Sequence, residues 1–123
     1  MRYLTDRKRA LGHGSGRAGT HHHWQMVGSS IALLPMIPLF VFVFGAGFGG
    51  SYEEVVAYFS QPIPAITVGL SLTVIVLHLT HEAKAAVEDY MHGAVQKLTL
   101  LGLGAFAYTL IAIGLFALAR MAL

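Results

Sequence analysis

Three stretches of this chain, residues 18–52, 55–81 and 98–119, contain no Asp, Glu, Lys or Arg. Each is long enough to hold the roughly 20 apolar residues that a helix needs to cross a hydrocarbon layer. With 55% of its 123 residues hydrophobic and 11% charged, the chain has far more apolar surface than one small soluble core hides. The fold class expected is an all-α membrane protein with three transmembrane helices, at about 24–44, 64–90 and 97–119, behind a basic tail over 1–23. A short interfacial helix is expected in the first connection.

Charge placement sets the expected orientation. Five of the eight basic residues, Arg2, Arg7, Lys8, Arg9 and Arg17, precede the first span, and Lys84 and Lys97 flank the second connection. The first connection has Glu53 and Glu54 but no Lys or Arg. The positive-inside rule then places the amino terminus in the cytoplasm and the carboxyl terminus outside, with Arg120 alone opposing. Orientation accounts for the basic tail without nucleic-acid binding. No cleavable signal peptide is expected, because the first apolar run starts only after about twenty polar and basic residues.

Local signals mark the elements. The tail, rich in Gly, Ser, Arg and His, reads as loop. Trp24 is a headgroup-level anchor for the first span, and Pro35 and Pro38 are expected to kink it. Ser51 and Glu54 have capping-box spacing and open a short interfacial helix, with Tyr52, Val55, Val56 and Phe59 on one side. Pro62 and Pro64 open the second span. On the third, Ala105, Thr109, Ala112 and Ala119 form a small-residue side that permits close helix approach.

The chemistry concentrates on the second span. With no cysteine, disulfides and thiolate ligation are excluded, and any metal must use histidine, methionine, oxygen or a partner. Of seven histidines, His78 lies inside an apolar run. It sits about 21 Å beyond Pro64 at about 1.5 Å per residue, within a hydrocarbon layer of roughly 30 Å. Asp89 and Tyr90 lie about 16 to 18 Å further on, at the cytoplasmic headgroups. At about 100° per residue, His78, Glu82, Ala85 and Asp89 share a stripe. Lys84 has the spacing to pair with Glu88 on another side.

An ionisable side chain at that depth needs a partner. Two readings stay open for His78: a neutral imidazole hydrogen-bonded to a Ser, Thr or carbonyl of another helix, or an axial ligand to haem iron. A bis-histidine haem would need its second ligand from another membrane subunit, since the chain offers no second histidine at comparable depth. His81 is the rival ligand, better suited to a surface role near Glu82 and Lys84. The run His21, His22, His23 lacks the geometry of a metal site, because consecutive residues diverge, and suits contact with lipid phosphate, a haem propionate or a partner. There is no phosphate loop, nucleophile elbow or paired catalytic carboxylate within a span.

His78, eleven intervening residues and Tyr90, with Asp89 just before the tyrosine, resemble the H-x11-Y pattern ending in D-Y of the hydrophobic membrane anchor subunits of succinate dehydrogenase, respiratory complex II. The basic tail, three spans, short outer helix, opening M-R-Y-L-T-D-R-K-R-A and H-H-W before the first span are also similar to bacterial members. The resemblance implies that His78 ligates haem b iron between this chain and a cytochrome b partner subunit, which gives the other axial histidine. It implies that Tyr90 hydrogen-bonds a ubiquinone carbonyl in a pocket shared with the iron-sulfur subunit, that Asp89 tunes or orients that site, and that a flavoprotein subunit oxidises succinate. The location implied is a bacterial inner membrane.

One departure stands out. Many members have an arginine a few residues after the aromatic that opens the first span, near the haem propionates, where this chain has about Val27. His22, His23 and Ser29 are the candidates left for propionate or quinone surroundings. Two alternatives accompany this reading: the anchor of a quinol:fumarate reductase, and a non-redox membrane scaffold in which His78 merely bridges helices. The absence of paired charges deep in the spans argues against an ion path through this chain alone.

Overall fold

The computed structural model describes residues 4–14 and 16–123, and among them every regular element is helical. The elements are α1 (Asp6–Leu11), α2 (Arg17–Ala46), α3 (Tyr52–Phe59), α4 (Pro62–Tyr90) and α5 (Gly93–Ala122). Three stretches, Gly19–Ala46, Pro62–Tyr90 and Gly93–Ala122, are long and apolar enough to cross a membrane. A 30-residue helix such as α2 is about 45 Å long, so it overruns a hydrocarbon layer of roughly 30 Å.

That overrun corrects the loop reading of the tail. Helix α2 begins at Arg17 and takes in His21, His22 and His23, and α1 forms before it. Hydropathy marks where lipid ends, whereas a helix continues as long as its backbone bonds do. Thr5 caps α1, its hydroxyl accepting from the Lys8 N–H at 3.3 Å, and Gly12, with φ of 54°, closes it in the left-handed region. For the same reason α5 starts at Gly93 rather than near Lys97. Helix α2 continues through Pro35 and Pro38 without ending.

The connection signals hold. Ser51 and Glu54 form the reciprocal capping box of α3, with Ser51 N–H donating to Glu54 Oε2 at 2.8 Å. Phe59 is buried, Val55 and Val56 are half-buried, and Tyr52 at the start of that side stays exposed. Pro62 opens α4, which runs to Tyr90, and two residues then lead to α5.

Helix α4 stands in the middle, packed against α2 on one side and α5 on the other, and the backbones of α2 and α5 do not meet. Both pairings are antiparallel: Ser29 meets His78 and His22 meets His81 at one end, while Gly114 meets Leu72 and Gly69 meets Leu115 at the other. Helix α3 packs on α4 and α5 at the end opposite Tyr90. The Tyr58 hydroxyl donates to the Val43 carbonyl at 2.9 Å, taking up one of the acceptors that the end of α2 leaves free.

Helix α5 meets α4 through a different side from its small-residue one. Ala105, Thr109, Ala112 and Ala119 are exposed. Instead Ala107 is buried, Leu103, Ile111, Gly114 and Leu118 are half-buried, and a β-carbon at Gly114 would overlap the tip of Leu72. In a lipid-facing helix both sides are apolar, so small residues alone do not say which side finds a neighbour.

Candidate functional site

The site is built in the seam between α2 and α4, toward the Tyr90 end. His78 is half-buried, its side chain 17% exposed, and its Nδ1 lies 2.9 Å from Ser29 Oγ across the seam. Ser29 Oγ also donates to the Met26 carbonyl, three residues earlier on its own helix, at 2.9 Å. The other ring nitrogen, Nε2, has Glu82 Oε1 at 3.9 Å, one turn along α4 and beyond hydrogen-bond range. His78 and Glu82 thus lie together, as their i, i+4 spacing requires.

A second polar group lies one turn further along. The His81 and His22 rings meet edge-on with centroids 5.6 Å apart. They border an open cavity of about 430 Å³ with Gln25, Lys84 and Glu88. His81 Nδ1 is buried and has no hydrogen-bond partner among the described residues. His81 thus meets His22 of α2 at an open rim that also carries Lys84, one of the neighbours expected for it. Lys84 and Glu88 share the rim of this cavity without forming an ion pair.

The remaining candidates stay apart. His23 packs edge-on against Trp24, not against His78. Asp89 is exposed, and Tyr90, the last residue of α4, is 86% exposed. Its twelve-residue separation from His78 amounts to about 18 Å along the helix. Ser29, considered for propionate or quinone surroundings, is turned toward His78. Among the described residues no group of three His, Cys, Asp or Glu side chains is arranged to hold a metal ion.

A serine of another helix as partner for His78 is one of the readings that the sequence left open, and Ser29 of α2 fills it; the meeting of His22 with His81 escapes the sequence reading. The partial signal is depth: in an antiparallel hairpin, residues within about a turn and a half of Trp24 on α2 come level with those about two and a half to three and a half turns before Tyr90 on α4.

A family profile described as "Succinate dehydrogenase/Fumarate reductase transmembrane subunit" matches residues 1–116. The chain belongs to this family. A "Succinate dehydrogenase hydrophobic membrane anchor subunit" of Paracoccus denitrificans is 39% identical over 123 residues, spanning 100% of this chain and 95% of the relative. No solved structure matches. Membership makes the three apolar helices those of a membrane subunit of the succinate dehydrogenase/fumarate reductase family.

Proposed function

We propose that this chain is the membrane anchor subunit of a succinate:ubiquinone oxidoreductase. In it, His78 provides one axial ligand to a haem b, and Tyr90 and Asp89 form part of a ubiquinone pocket. The observation that carries the proposal is His78 itself: an imidazole in an apolar seam, with one nitrogen engaged by Ser29 and the other making no hydrogen bond. A neutral imidazole with a free nitrogen is the donor that haem iron takes. His78 would hold the haem iron through this free nitrogen, and a cytochrome b partner subunit would give a second histidine. The 39% identity to a succinate dehydrogenase anchor favours succinate oxidation over fumarate reduction.

When bound, the haem supplies one-electron storage between the two membrane subunits. The chain's own groups act around it. His78 holds the site at a fixed depth on α4 and joins this chain to its partner. At the end of α4, the exposed Tyr90 phenol donates a hydrogen bond to a quinone carbonyl oxygen, and the neighbouring Asp89 carboxylate stays in contact with water. Reducing a quinone to a quinol takes up two electrons and two protons, and a phenol at the membrane boundary serves a ring that enters from lipid while protons arrive from the aqueous side. The iron-sulfur subunit closes the pocket and delivers electrons from succinate, oxidised in the flavoprotein subunit. The basic residues before α2 and around the second connection support a cytoplasmic Tyr90 end.

The test is a reduced-minus-oxidised optical spectrum of the purified complex, wild type against His78→Ala and His81→Ala. Loss of the low-spin b-type signal in His78→Ala alone is the expected result. A signal retained in His78→Ala and lost in His81→Ala would move the ligand to His81. A signal retained in both variants would leave His78 as a bridge between helices.

A further inference from the structure

We propose that Ser29 is a positioning residue for His78, selecting by its hydroxyl which imidazole nitrogen is offered to the iron. The inference rests on His78 being the haem ligand.

The argument is a proton count. A serine hydroxyl has one proton to donate and lone pairs to accept with. The Met26 carbonyl, which also accepts from Ser30 Oγ at 2.9 Å, lies 2.9 Å from Ser29 Oγ and can take its proton. With the Ser29 proton so placed, Nδ1–H is the donor in the 2.9 Å contact between Ser29 Oγ and His78 Nδ1. A neutral imidazole carries one N–H, so Nε2 keeps its lone pair. The relay from Nδ1–H through the Ser29 hydroxyl to the Met26 carbonyl leaves His78 in the tautomer that ligation by Nε2 requires. It also ties the ring to α2 at a second point and so restricts its rotation.

Relays of this kind raise the basicity of a metal-ligating histidine. Added electron density on the imidazole favours ferric over ferrous iron, so the Ser29 hydroxyl lowers the haem midpoint potential. Serine in place of the apolar residue natural at this depth thus has an electronic consequence. The nearest carboxylate, Glu82, has Oε1 3.9 Å from Nε2, so Ser29 is the group engaged at Nδ1.

Threonine and valine at position 29 have the same shape and differ in the hydroxyl, and threonine also reaches the carbonyl three or four residues back. The experiment is a redox titration of the b-type optical signal, with the low-spin EPR spectrum, on intact complexes carrying Ser29→Thr, Ser29→Val or His78→Ala. Ser29→Val is expected to raise the midpoint potential and shift the EPR g values while Ser29→Thr stays at wild type. Loss of haem from Ser29→Val with retention in Ser29→Thr would equally support the relay. An unchanged or lowered potential in Ser29→Val overturns the proposal, as does any effect that Ser29→Thr shares. If His78→Ala keeps the haem, the ligand assignment itself falls; if it loses the haem while Ser29→Val titrates as wild type, only the role of Ser29 falls.

Discussion

Between Pro62 and Ser71, α4 buries Pro64, Val68, Gly69 and Ser71, whereas over the longer stretch that follows, to Tyr90, only Thr80 is buried. The first part is enclosed by α5, the aromatic end of α2 and the short α3, with Gly69 and Gly114 letting leucine side chains close in. The second part holds His78, His81, Asp89 and Tyr90 in half-open or open positions. The chain packs more of α4 against its own helices at one end and leaves the other more open, although Ile63, Ile66 and Leu70 stay exposed even at the closed end. In water such exposed apolar helix faces would be a liability. In a membrane subunit they are surfaces that lipid or another chain can cover.

The contrast can be broken at the open end first. Tyr90→Phe keeps the ring and removes the hydroxyl, and it is expected to cut succinate-to-quinone turnover by about tenfold, the scale of one lost hydrogen bond to a reacting group. Dye reduction by the flavoprotein and iron-sulfur subunits should be unchanged, and an equal fall in both activities would point to damage in assembly instead. Nothing in the folding of the closed end should respond.

At the closed end the expected effects are on stability. Gly114→Ile places a branched side chain where Leu72 already lies, and overpacking of this kind costs about 1–3 kcal/mol. Thermal denaturation of the complex should show it, with the b-type signal of the remaining folded protein unaltered. Smaller again is Tyr58→Phe, which frees the Val43 carbonyl at the end of α2. One such bond is worth about 0.5–1.5 kcal/mol, readable as a slightly lower denaturation midpoint with quinone turnover preserved.

The two ends also differed in how readable they were. Ser51, Glu54, Pro62 and the D-Y at positions 89 and 90 are local signals, and the elements begin and end where they stand. His78 was conspicuous because an imidazole inside an apolar run is costly. Its partner was not, since Ser29 is 49 residues away and the pairing depends on how two helices are set against each other. The same limit hid the meeting of His22 and His81. It also leaves open which side of α5 meets α4: the small-residue side with Ala105 and Ala112 faces outward, and Ala107 with Gly114 faces α4. In lipid, hydropathy reports the solvent and not the neighbour.

The hydrogen bond between His78 and Ser29 has a consequence for biogenesis. An imidazole in hydrocarbon without a partner would leave a polar N–H unsatisfied at a cost of several kcal/mol. Here α2 meets that need from within the same polypeptide. Under the proposed haem role, insertion of the hairpin would not have to wait for the prosthetic group, because this N–H is already satisfied.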